Sequence, residues 1–314
     1  MNLLTNLQKK RNKKLFDNIV KGVRDCTPIQ ANKDSEIVII SQVYHGALDM
    51  SLLALKSFVT HFGDCDIEVL DDGSLTDEDK SIIKSQLQGA TITNMFDVDT
   101  GKCPQGNCWE RLVRILQLCE SRYVIQVDTD TLTIAAIPEI VAAVKEQRAF
   151  TIGNPIFNSP VDIDYISYIA NKWKGNHIQV ETERNLNRVS LPGLKEYCRG
   201  CAALAGFPIK PNSFAELESF SQQMQILLGK EKWNQWGSEQ AASNIMISLY
   251  PDKSILPWPK YTNYGFPSQG KDGEPETFLG KCSVLHFIGS HRFTTRCYEH
   301  LADNLLENLL GKVS

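Results

Sequence analysis

The sequence predicts an α/β domain with a mostly parallel β-sheet flanked by helices on both faces. Short β-branched runs alternate with helical periods between residues 36 and 155, which is the order that parallel sheets require. The runs Glu36–Ile40 and Tyr123–Val127 are nearly continuous in apolar residues, as expected of strands buried on both faces. A chain of 314 residues, 42% hydrophobic and 22% charged, is long enough to bury a sizeable core.

We divide the chain into three parts. Residues 1–35 are predicted to form an N-terminal helical arm, residues 36–155 the regular half of the α/β domain, and residues 156–314 a less regular half of the same domain. In open parallel sheets, ligands bind at the carboxyl ends of the strands. The residues that directly follow each strand are therefore the first candidates for chemistry.

The elements of the middle part follow one another in β-α order. Apolar or β-branched runs mark the strands, helical periodicity marks the helices, and Pro138 is typical of a helix start. The predicted strands are Glu36–Ile40, Ile67–Leu70, Thr91–Thr93 and Tyr123–Val127, and the predicted helices are Leu48–His61, Thr76–Gln88, Trp109–Glu120 and Pro138–Lys145. Beyond residue 150 we predict strands at Cys201–Ala205 and Ser283–Phe287, helices at Phe214–Leu228, Ser238–Leu249 and Tyr298–Leu310, and a loop over Leu256–Pro275.

The arm has the pattern of a basic amphipathic helix. One interpretation is a solvated helix that docks on the core by its Leu and Phe side chains, and we favour it. The alternative is attachment to an anionic membrane surface or to an acidic partner. Basic and apolar residues interleave in its sequence, among them Lys9, Lys10, Arg11, Lys13 and Lys14 with Leu7, Leu15 and Phe16.

Charge and composition argue against several classes of protein. The net charge of −4 argues against nucleic-acid binding, which requires an excess of Lys and Arg. No apolar run approaches the ~20 residues that span a bilayer, and the N-terminus has no signal-peptide core, so we expect a cytoplasmic protein. The nine cysteines are scattered and odd in number, which is typical of a reducing compartment. We interpret the pairs Cys103/Cys108 and Cys198/Cys201 as buried thiols rather than as a zinc site.

Aspartate pairs in the pattern D-x-D occur five times, so the pattern alone decides nothing. Only Asp128 and Asp130 stand immediately after a strong, buried-looking strand. Two carboxylates there can present oxygens to Mn²⁺ or Mg²⁺, which commonly share such ligands with substrate phosphates. We predict a metal site at this pair, with Asp128 also near the nucleotide; the alternative is two loop acids that cap the next helix. The five pairs are Asp64/Asp66, Asp77/Asp79, Asp97/Asp99, Asp128/Asp130 and Asp162/Asp164.

A second polar cluster, Asp71-Asp72-Gly73-Ser74, directly follows the predicted strand at Ile67–Leu70. Asp-Gly is typical of a tight turn, and Ser74 or Thr76 could cap the helix that follows. The functional interpretation is that one of the two aspartates accepts a hydrogen bond from the imide N–H of a nucleobase. The sequence alone favours neither the structural turn nor the nucleobase contact.

Two segments resemble those of a known class of enzymes. Leu70–Asp77 (LDDGSLTD) is similar to the base-binding segment of family-2-type GT-A glycosyltransferases, and Arg122–Asp130 (RYVIQVDTD) to their metal-binding strand. The resemblance covers roughly residues 36–155 and implies the GT-A fold, a Rossmann-like, mostly parallel sheet flanked by helices. It makes residues 36–155 the nucleotide-sugar-binding half and residues 156–314 an irregular acceptor-binding half.

The same resemblance implies roles for individual residues. Asp71 or Asp72 would contact uracil, so the expected donor is a UDP-sugar. The stretch 107–111 occupies the place where these enzymes often carry Asn and Arg near the nucleotide. Arg111 or Arg114 would then contact the nucleotide; the alternative for either arginine is a cation on a helix surface.

In the third part, Glu239 and Gln240 are the candidates for catalysis. Ser238 is a good N-cap, which would place both residues in the first turn of a helix. Glu239 could face the hydroxyl of the acceptor, because an inverting transferase needs a carboxylate to remove its proton. Retaining families place Asp-Gln near this position, so the stereochemical class stays open. The structural alternative is an acid that interacts favourably with the helix dipole, worth ~0.3–1 kcal/mol.

The run Val284–Gly289 ends a predicted strand with a histidine and a glycine. A lone histidine beside an apolar run is usually structural. Here His286 with Arg292 resembles the C-terminal metal and pyrophosphate segment of family-8-like GT-A enzymes, although the usual lysine further along is absent. The resemblance implies that His286 completes a Mn²⁺ site with two aspartates and that Arg292 neutralises charge on the leaving group.

Together these motifs predict a metal-dependent glycosyltransferase. It would move a sugar from a nucleotide diphosphate sugar, expected to be UDP-linked, to a hydroxyl of a saccharide or other acceptor, and Trp236 and Tyr264 are candidates to stack on that acceptor. The alternatives are a catalytically inactive GT-A-like nucleotide-sugar-binding protein and a sugar nucleotidyltransferase, whose Gly-rich basic loop is missing here. The sequence lacks the glycine motifs of dinucleotide-dependent oxidoreductases and P-loop NTPases.

Overall fold

A computed structural model describes residues 3–265, 280–289 and 291–311. The C-terminal part of the loop predicted at Leu256–Pro275 lies outside these residues. In the described part of the chain, the strands are β1 (Ile29–Gln30), β2 (Ile37–Val43), β3 (Asp66–Asp71), β4 (Leu87–Gln88), β5 (Thr91–Asn94), β6 (Tyr123–Val127), β7 (Thr131–Thr133), β8 (Ala149–Ile152), β9 (Val161–Asp162), β10 (Glu196–Tyr197), β11 (Cys201–Phe207), β12 (Lys253–Leu256), β13 (Tyr261–Tyr264) and β14 (Val284–Phe287).

The helices alternate with these strands in the first half and cluster in the second. They are α1 (Leu3–Val20), α2 (Leu48–Phe62), α3 (Asp77–Gln86), α4 (Trp109–Leu118), α5 (Pro138–Lys145), α6 (Ile163–Ala170), α7 (Ile178–Asn185), α8 (Ser213–Leu228), α9 (Lys230–Trp233), α10 (Ser238–Ser248) and α11 (Cys297–Leu309). None of the helices described is long and apolar enough to cross a membrane.

A seven-stranded sheet with the order β12-β8-β11-β6-β2-β3-β5 forms the centre of the molecule. All neighbouring strands are parallel except β11, which runs antiparallel to both β6 and β8. Successive side chains of β2 enter opposite cores: Ile39 packs with the helices on one face, and Val38 and Ile40 with those on the other. The predicted α/β class, with a mostly parallel sheet covered on both faces, is confirmed.

The longer predicted elements agree with the structure, and the shortest ones were missed. Strand β6 and helix α5 have the predicted bounds, whereas β2 continues to Val43 through the polar pair Ser41 and Gln42. Strands β7, β8, β12 and β13, each three or four residues long, were not predicted, and β13 lies inside the stretch predicted as a loop. Helices α6 and α7, each eight residues long, were missed as well.

The N-cap predicted for α10 was wrong by one residue. Gly237, with φ +96°, is the N-cap, and Ser238 is already inside the helix. The Ser238 hydroxyl instead accepts a hydrogen bond from the indole N–H of Trp109 at 3.0 Å, which ties α10 to α4. Glu239 and Gln240 nevertheless lie in the first helical turn, as predicted.

A three-stranded sheet, β13-β14-β7, lies beside the end of β6. β14 runs antiparallel to β7 and pairs His286 with Thr131, and β13 runs parallel to β14 and pairs Asn263 with His286. The next amide along β14, that of Phe287, donates to the backbone carbonyl of Asp130 at 2.8 Å. This register brings a histidine from the C-terminal part of the chain beside the aspartates that follow β6.

The arm docks on the core, in agreement with the interpretation favoured from sequence. The ring of Phe16 stacks on that of Tyr298 with centroids 4.2 Å apart and lies 5.5 Å from that of Phe293. Asn12, buried beneath the helix, donates to the backbone carbonyl of Phe293 at 3.1 Å. Attachment of the arm's basic residues to a membrane surface or an acidic partner stays a prediction.

The cysteines are consistent with the thiol interpretation. Within the described residues no two cysteines form a disulfide. Cys103 and Cys198 are buried, and burial raises the pKa of each thiol to about 12. Thiols with such a pKa stay protonated near neutral pH, whereas zinc binds the thiolate.

We expect Phe16→Ala to lower the free energy of unfolding by about 3–5 kcal/mol, because it removes a large side chain that is 1% exposed from an aromatic cluster. The matched control is Leu7→Ala on the same helix, where the side chain is 56% exposed and the expected change is within about 0.5 kcal/mol. Urea denaturation followed by circular dichroism measures both. Equal losses in the two variants would contradict the docking of α1 through Phe16.

Candidate active site

One cleft of about 810 Å³ runs along the carboxyl ends of the central strands. Its walls include the ends of β2, β6 and β8, the start of β11 and the first turn of α10. This volume is within the range of small-molecule binding sites. Eight of the ten residues that the sequence nominated line this cleft: Asp72, Arg111, Asp128, Asp130, Glu239, Gln240, His286 and Arg292.

Asp128, Asp130 and His286 form a group that suits a divalent cation. One ligand atom from each residue lies within 4.8 Å of the others, and among the described residues no other group of three His, Cys, Asp or Glu side chains meets this criterion. Two carboxylates and an imidazole are a donor set that Mn²⁺ accepts, and carboxylates also suit Mg²⁺. The chemistry of these residues therefore fits the ion that the sequence predicted.

Asn263 orients the imidazole of His286. Its side-chain oxygen lies 2.7 Å from Nδ1 of His286, which donates to it, and Nε2 then points toward Asp130 at 3.4 Å from Oδ1. A second partner of this kind fixes the ring of a metal-binding histidine in many sites. Sequence reasoning missed Asn263, since nothing in the local pattern of β13 marks it; only the register of β13 on β14 brings it to His286.

Charge pairing sets the ionisation of the group. Burial alone would disfavour the imidazolium of His286, but the Asp130 carboxylate outweighs it and raises the pKa of His286. Burial likewise opposes ionisation of Asp130, whereas His286 and Arg292 together lower the pKa of its carboxyl. Asp130 is therefore ionised at neutral pH, and metal binding at His286 requires the release of its proton.

Arg111 links the metal group to the candidate catalytic carboxylate. Its guanidinium is buried and donates to Oδ1 of Asp128 at 2.6 Å and to Glu239 at 3.2 Å. Burial raises the pKa of Glu239, and so does the charge of Asp128, while Arg111 opposes both. A raised pKa brings a carboxylate closer to the range in which it works as a proton acceptor at neutral pH.

Gln126 is a second residue that sequence reasoning missed. It is buried in β6, two positions before Asp128 and on the same face of the strand, and its side-chain amide donates to Oδ1 of Asp128 at 3.1 Å and to the backbone carbonyl of Ala202. A signal was present, because glutamine interrupts the otherwise apolar run Tyr123–Val127. Both hydrogen bonds are donated by the amide nitrogen, and one acceptor is a predicted metal ligand; the buried side-chain oxygen has no hydrogen-bond partner among the described residues.

Of the two aspartates after β3, only Asp72 faces the cleft. Asp71 is buried; its Oδ1 accepts the backbone N–H groups of Gly73 and Leu75, and its Oδ2 pairs with Lys80 at 2.9 Å. Asp71 therefore builds the turn and is not among the residues that line the cleft. The hypothesis of a nucleobase contact stays with Asp72.

The two candidate arginines of α4 separate in the same way. Arg114 lies away from the cleft and makes a bidentate pair with the buried Glu68 of β3, at 2.6 and 3.1 Å. Arg111, one turn earlier on α4, enters the cleft and pairs with Asp128 and Glu239 instead. The interpretation of Arg114 as a structural cation is the one that the geometry supports, and the hypothesis of a nucleotide contact stays with Arg111.

Arg292 and Gln240 both line the cleft, and Sγ of Cys201 lies 3.7 Å from Oε1 of Gln240 and 3.6 Å from Nδ1 of His286. Arg292 donates to Oδ2 of Asp130 and, through Nε, to the backbone carbonyl of Phe287 at 3.3 Å. Gln240 donates to the side-chain oxygen of Gln179 at 2.9 Å. Arg292 is thus placed at the metal group, whereas Gln240 belongs to a chain of amides on the wall formed by α7 and α10.

The two aromatic residues proposed to stack on an acceptor have different surroundings. Tyr264 is buried, and its hydroxyl shares a hydrogen bond with Thr295, so it belongs to the core and that prediction was wrong. Trp236 lines the cleft and is 71% exposed. Its role as a stacking surface stays a prediction.

Comparison with known structures identifies the fold. No family model and no curated protein matches the sequence. The structure of WbbM, a bifunctional glycosyltransferase in its apo form, superposes with a TM-score of 0.53 and 15% identity over 90% of this chain and 51% of that chain. The chain has the GT-A fold. It spans about half the length of WbbM, and at this identity the similarity concerns the fold alone.

Two further GT-A glycosyltransferase structures align less well. The galactosyltransferase LgtC, in complex with donor and acceptor sugar analogues, gives a TM-score of 0.48 and 12% identity over 88% of this chain and 97% of that chain. Mouse xyloside xylosyltransferase 1, in its apo form, gives 0.44 and 10% identity over 84% of this chain and 99% of that chain. The GT-A assignment depends on neither of them.

We expect Asp130→Asn to weaken Mn²⁺ binding by at least roughly tenfold, because even the loss of a group that only supports a ligand costs about 10–100-fold. Electron paramagnetic resonance of free Mn²⁺ measures this directly, and circular dichroism checks that the variant is folded. The control is Asp164→Asn, which changes an exposed acid of another D-x-D pair. Equal affinity in the parent and Asp130→Asn would contradict the metal assignment.

Proposed function

We propose that this protein is a metal-dependent glycosyltransferase that moves a sugar from a UDP-sugar to a hydroxyl of an acceptor. The observation that carries the proposal is the group Asp128, Asp130 and His286 at the carboxyl edge of a GT-A sheet, in one cleft with Arg292 and Asp72. A fold does not by itself imply an activity, so the proposal rests on these side chains.

Donor binding would use the half of the cleft built by the ends of β2, β3 and β6. Asp128, Asp130 and His286 would hold Mn²⁺ or Mg²⁺, and a bound cation supplies charge neutralisation for a diphosphate. Arg292 would exchange its contact with Asp130 for phosphate oxygens, because a guanidinium matches phosphate geometry well. The Asp72 carboxylate would accept a hydrogen bond from the imide N–H of uracil.

Acceptor activation would use Glu239. Its carboxylate lies at the start of α10 within the cleft and is held at 3.2 Å from a guanidinium nitrogen of Arg111. It would accept the proton of the acceptor hydroxyl as that oxygen bonds to the anomeric carbon of the donor and the bond from that carbon to the diphosphate breaks. Arg111 would steer the carboxylate while keeping Asp128 in place.

The test is a screen of UDP- and GDP-sugars for hydrolysis stimulated by Mn²⁺. We expect one or more UDP-sugars to be hydrolysed and Asp130→Ala to abolish the stimulated rate. A protein that binds UDP-sugars without turnover, even with Mn²⁺ present, would instead be the catalytically inactive alternative. Formation of a nucleotide sugar from a sugar phosphate and UTP would identify a nucleotidyltransferase.

We expect Glu239→Gln to lower the rate of transfer by about 10²–10⁴-fold, the usual contribution of a general base. The matched control is Glu231→Gln, the same chemical change at an exposed position of α9, which should keep the parent rate. Rates are measured as release of UDP with the donor found in the screen. A Glu239→Gln rate within threefold of the parent would remove this residue from the mechanism.

We expect Asp72→Ala to weaken UDP binding by about 10–100-fold, because hydrogen bonds to charged groups contribute roughly 1.5–3 kcal/mol. Isothermal titration calorimetry measures the affinity in the presence of Mn²⁺. Asp303→Ala, at an exposed position of α11, serves as the control for loss of one negative charge. If Asp72→Ala and the parent bind UDP equally well, Asp72 does not contact the base.

A further inference from the structure

The cleft continues beyond the metal group to an end built from α7, α10 and the loop before α10. We propose that this end is a saccharide-binding subsite, in which a sugar ring of the acceptor stacks on Trp236 and its hydroxyls bind the side chains beside it. The inference rests on the proposed function, since it names the class of acceptor for that reaction. Three features of the described residues support it.

The first is the exposure of Trp236. Its side chain is 71% exposed and lines the cleft, whereas Trp109 and Trp233 are completely buried. A large aromatic ring left open to solvent inside a cleft is a surface available to a ligand. The C–H face of a pyranose ring is flat and apolar and matches such a surface in size, while its hydroxyls remain at the edge for hydrogen bonding.

The second feature is that the neighbours of Trp236 fix its position. The ring of His177 meets it edge-on, with centroids 6.5 Å apart and planes at 78°. His177 is the N-cap of α7, where its Nδ1 accepts the backbone N–H of Gln179 at 3.2 Å, and burial lowers the pKa of His177, which keeps this nitrogen an acceptor. Gly237 adopts φ +96°, and a Cβ there would lie 2.9 Å from the His177 ring. The turn therefore places the Trp236 ring beside that of His177.

The third feature is the polarity of the wall beside Trp236. Gln240 donates to Gln179 at 2.9 Å, and Gln179 donates to Glu183 at 3.0 Å, so the amides are held in a chain. Arg199 lines the same wall, with its guanidinium 5.0 Å from the ring centroids of both Phe157 and Trp173. Fixed amides and a fixed guanidinium suit a ligand rich in hydroxyls. A lipid chain would require an apolar groove instead.

The dimensions leave room for both substrates. Asp72 follows β3, and Asn154 follows β8, four strands away in the order of the sheet. At about 4.8 Å between neighbouring strands, the two ends of the cleft are roughly 19 Å apart. Glu239 lies three residues after Trp236 in the chain and lines the same cleft. A ring on Trp236 would therefore present a hydroxyl on the side of Glu239.

The experiment uses saturation-transfer NMR with simple probes, in the presence of UDP and Mn²⁺. The probes are the methyl glycosides of glucose, galactose and mannose, compared with the corresponding alditols, which carry more hydroxyls but have no ring face. We expect at least one methyl glycoside to bind, with saturation strongest at the C–H protons of one face. The matching alditol should bind at least tenfold more weakly.

Two variants and one control test the role of Trp236. Trp236→Ala should lower the affinity for the glycoside at least tenfold. Trp236→Phe should lower this affinity less, because a smaller aromatic face remains. Ile226→Ala, which changes an 83% exposed side chain outside the cleft, should bind like the parent. Circular dichroism of all variants separates loss of binding from loss of the fold.

Each outcome decides between the two proposals. Equal binding of the glycoside to Trp236→Ala and the parent would overturn the subsite, and so would equal binding of glycosides and alditols. If calorimetry shows that the parent binds UDP but no glycoside binds, the subsite fails and the donor half of the proposed function stands. If a glycoside binds through Trp236 but no nucleotide binds, the proposed function fails and the saccharide site stands.

Discussion

The balance of buried charge at the end of β6 is the constraint on which the rest of the site depends. An uncompensated charge in such a place costs several kcal/mol, so each acid requires a cation or hydrogen-bond donors from elsewhere in the chain. Those partners come from α4, from β14 and from the loop that precedes α11. Three acidic and three basic side chains meet there: Asp128, Asp130 and Glu239 with Arg111, His286 and Arg292.

The same mixture of acidic and basic side chains suits both a cation and an anionic ligand. On the proposed function, a cation at the two aspartates requires His286 to release its proton, and a diphosphate provides a new partner for Arg292. Arg111 would keep its partners when ligands bind, because it is buried between the carboxylates of Asp128 and Glu239 and pairs with both. It therefore couples Asp128 to Glu239, so that a change at one carboxylate alters the electrostatic environment of the other.

Sequence reasoning reached the cleft residues at the ends of β3 and β6 because strand ends are local features. Five D-x-D pairs look alike, but the strand before Asp128 singled out the pair that lies in the cleft beside His286. Two of the other pairs contain caps: Asp79 belongs to the capping box of α3, and Asp162 caps α6. Sequence reasoning could not separate Asp71 from Asp72, because which of two adjacent carboxylates closes the turn depends on Lys80 and on the backbone path. Asn263 could not be predicted, because its pairing with His286 depends on the register between β13 and β14, which are separated in the sequence.

The part of the cleft formed by α7 and α10 is hard to predict for a related reason, because packing alone decides which of its side chains are exposed. In the sequence, Trp233 and Trp236 are equivalent tryptophans three residues apart, yet the first is buried among Trp109 and Phe220 and the second projects into the cleft. The difference arises at Gly237, whose positive φ starts α10 only after Trp236 and so leaves that ring outside the helix, against His177. One glycine thereby sets both the exposure of the aromatic surface and the direction of the helix that carries Glu239. On the proposed function, this single turn would join acceptor binding to catalysis.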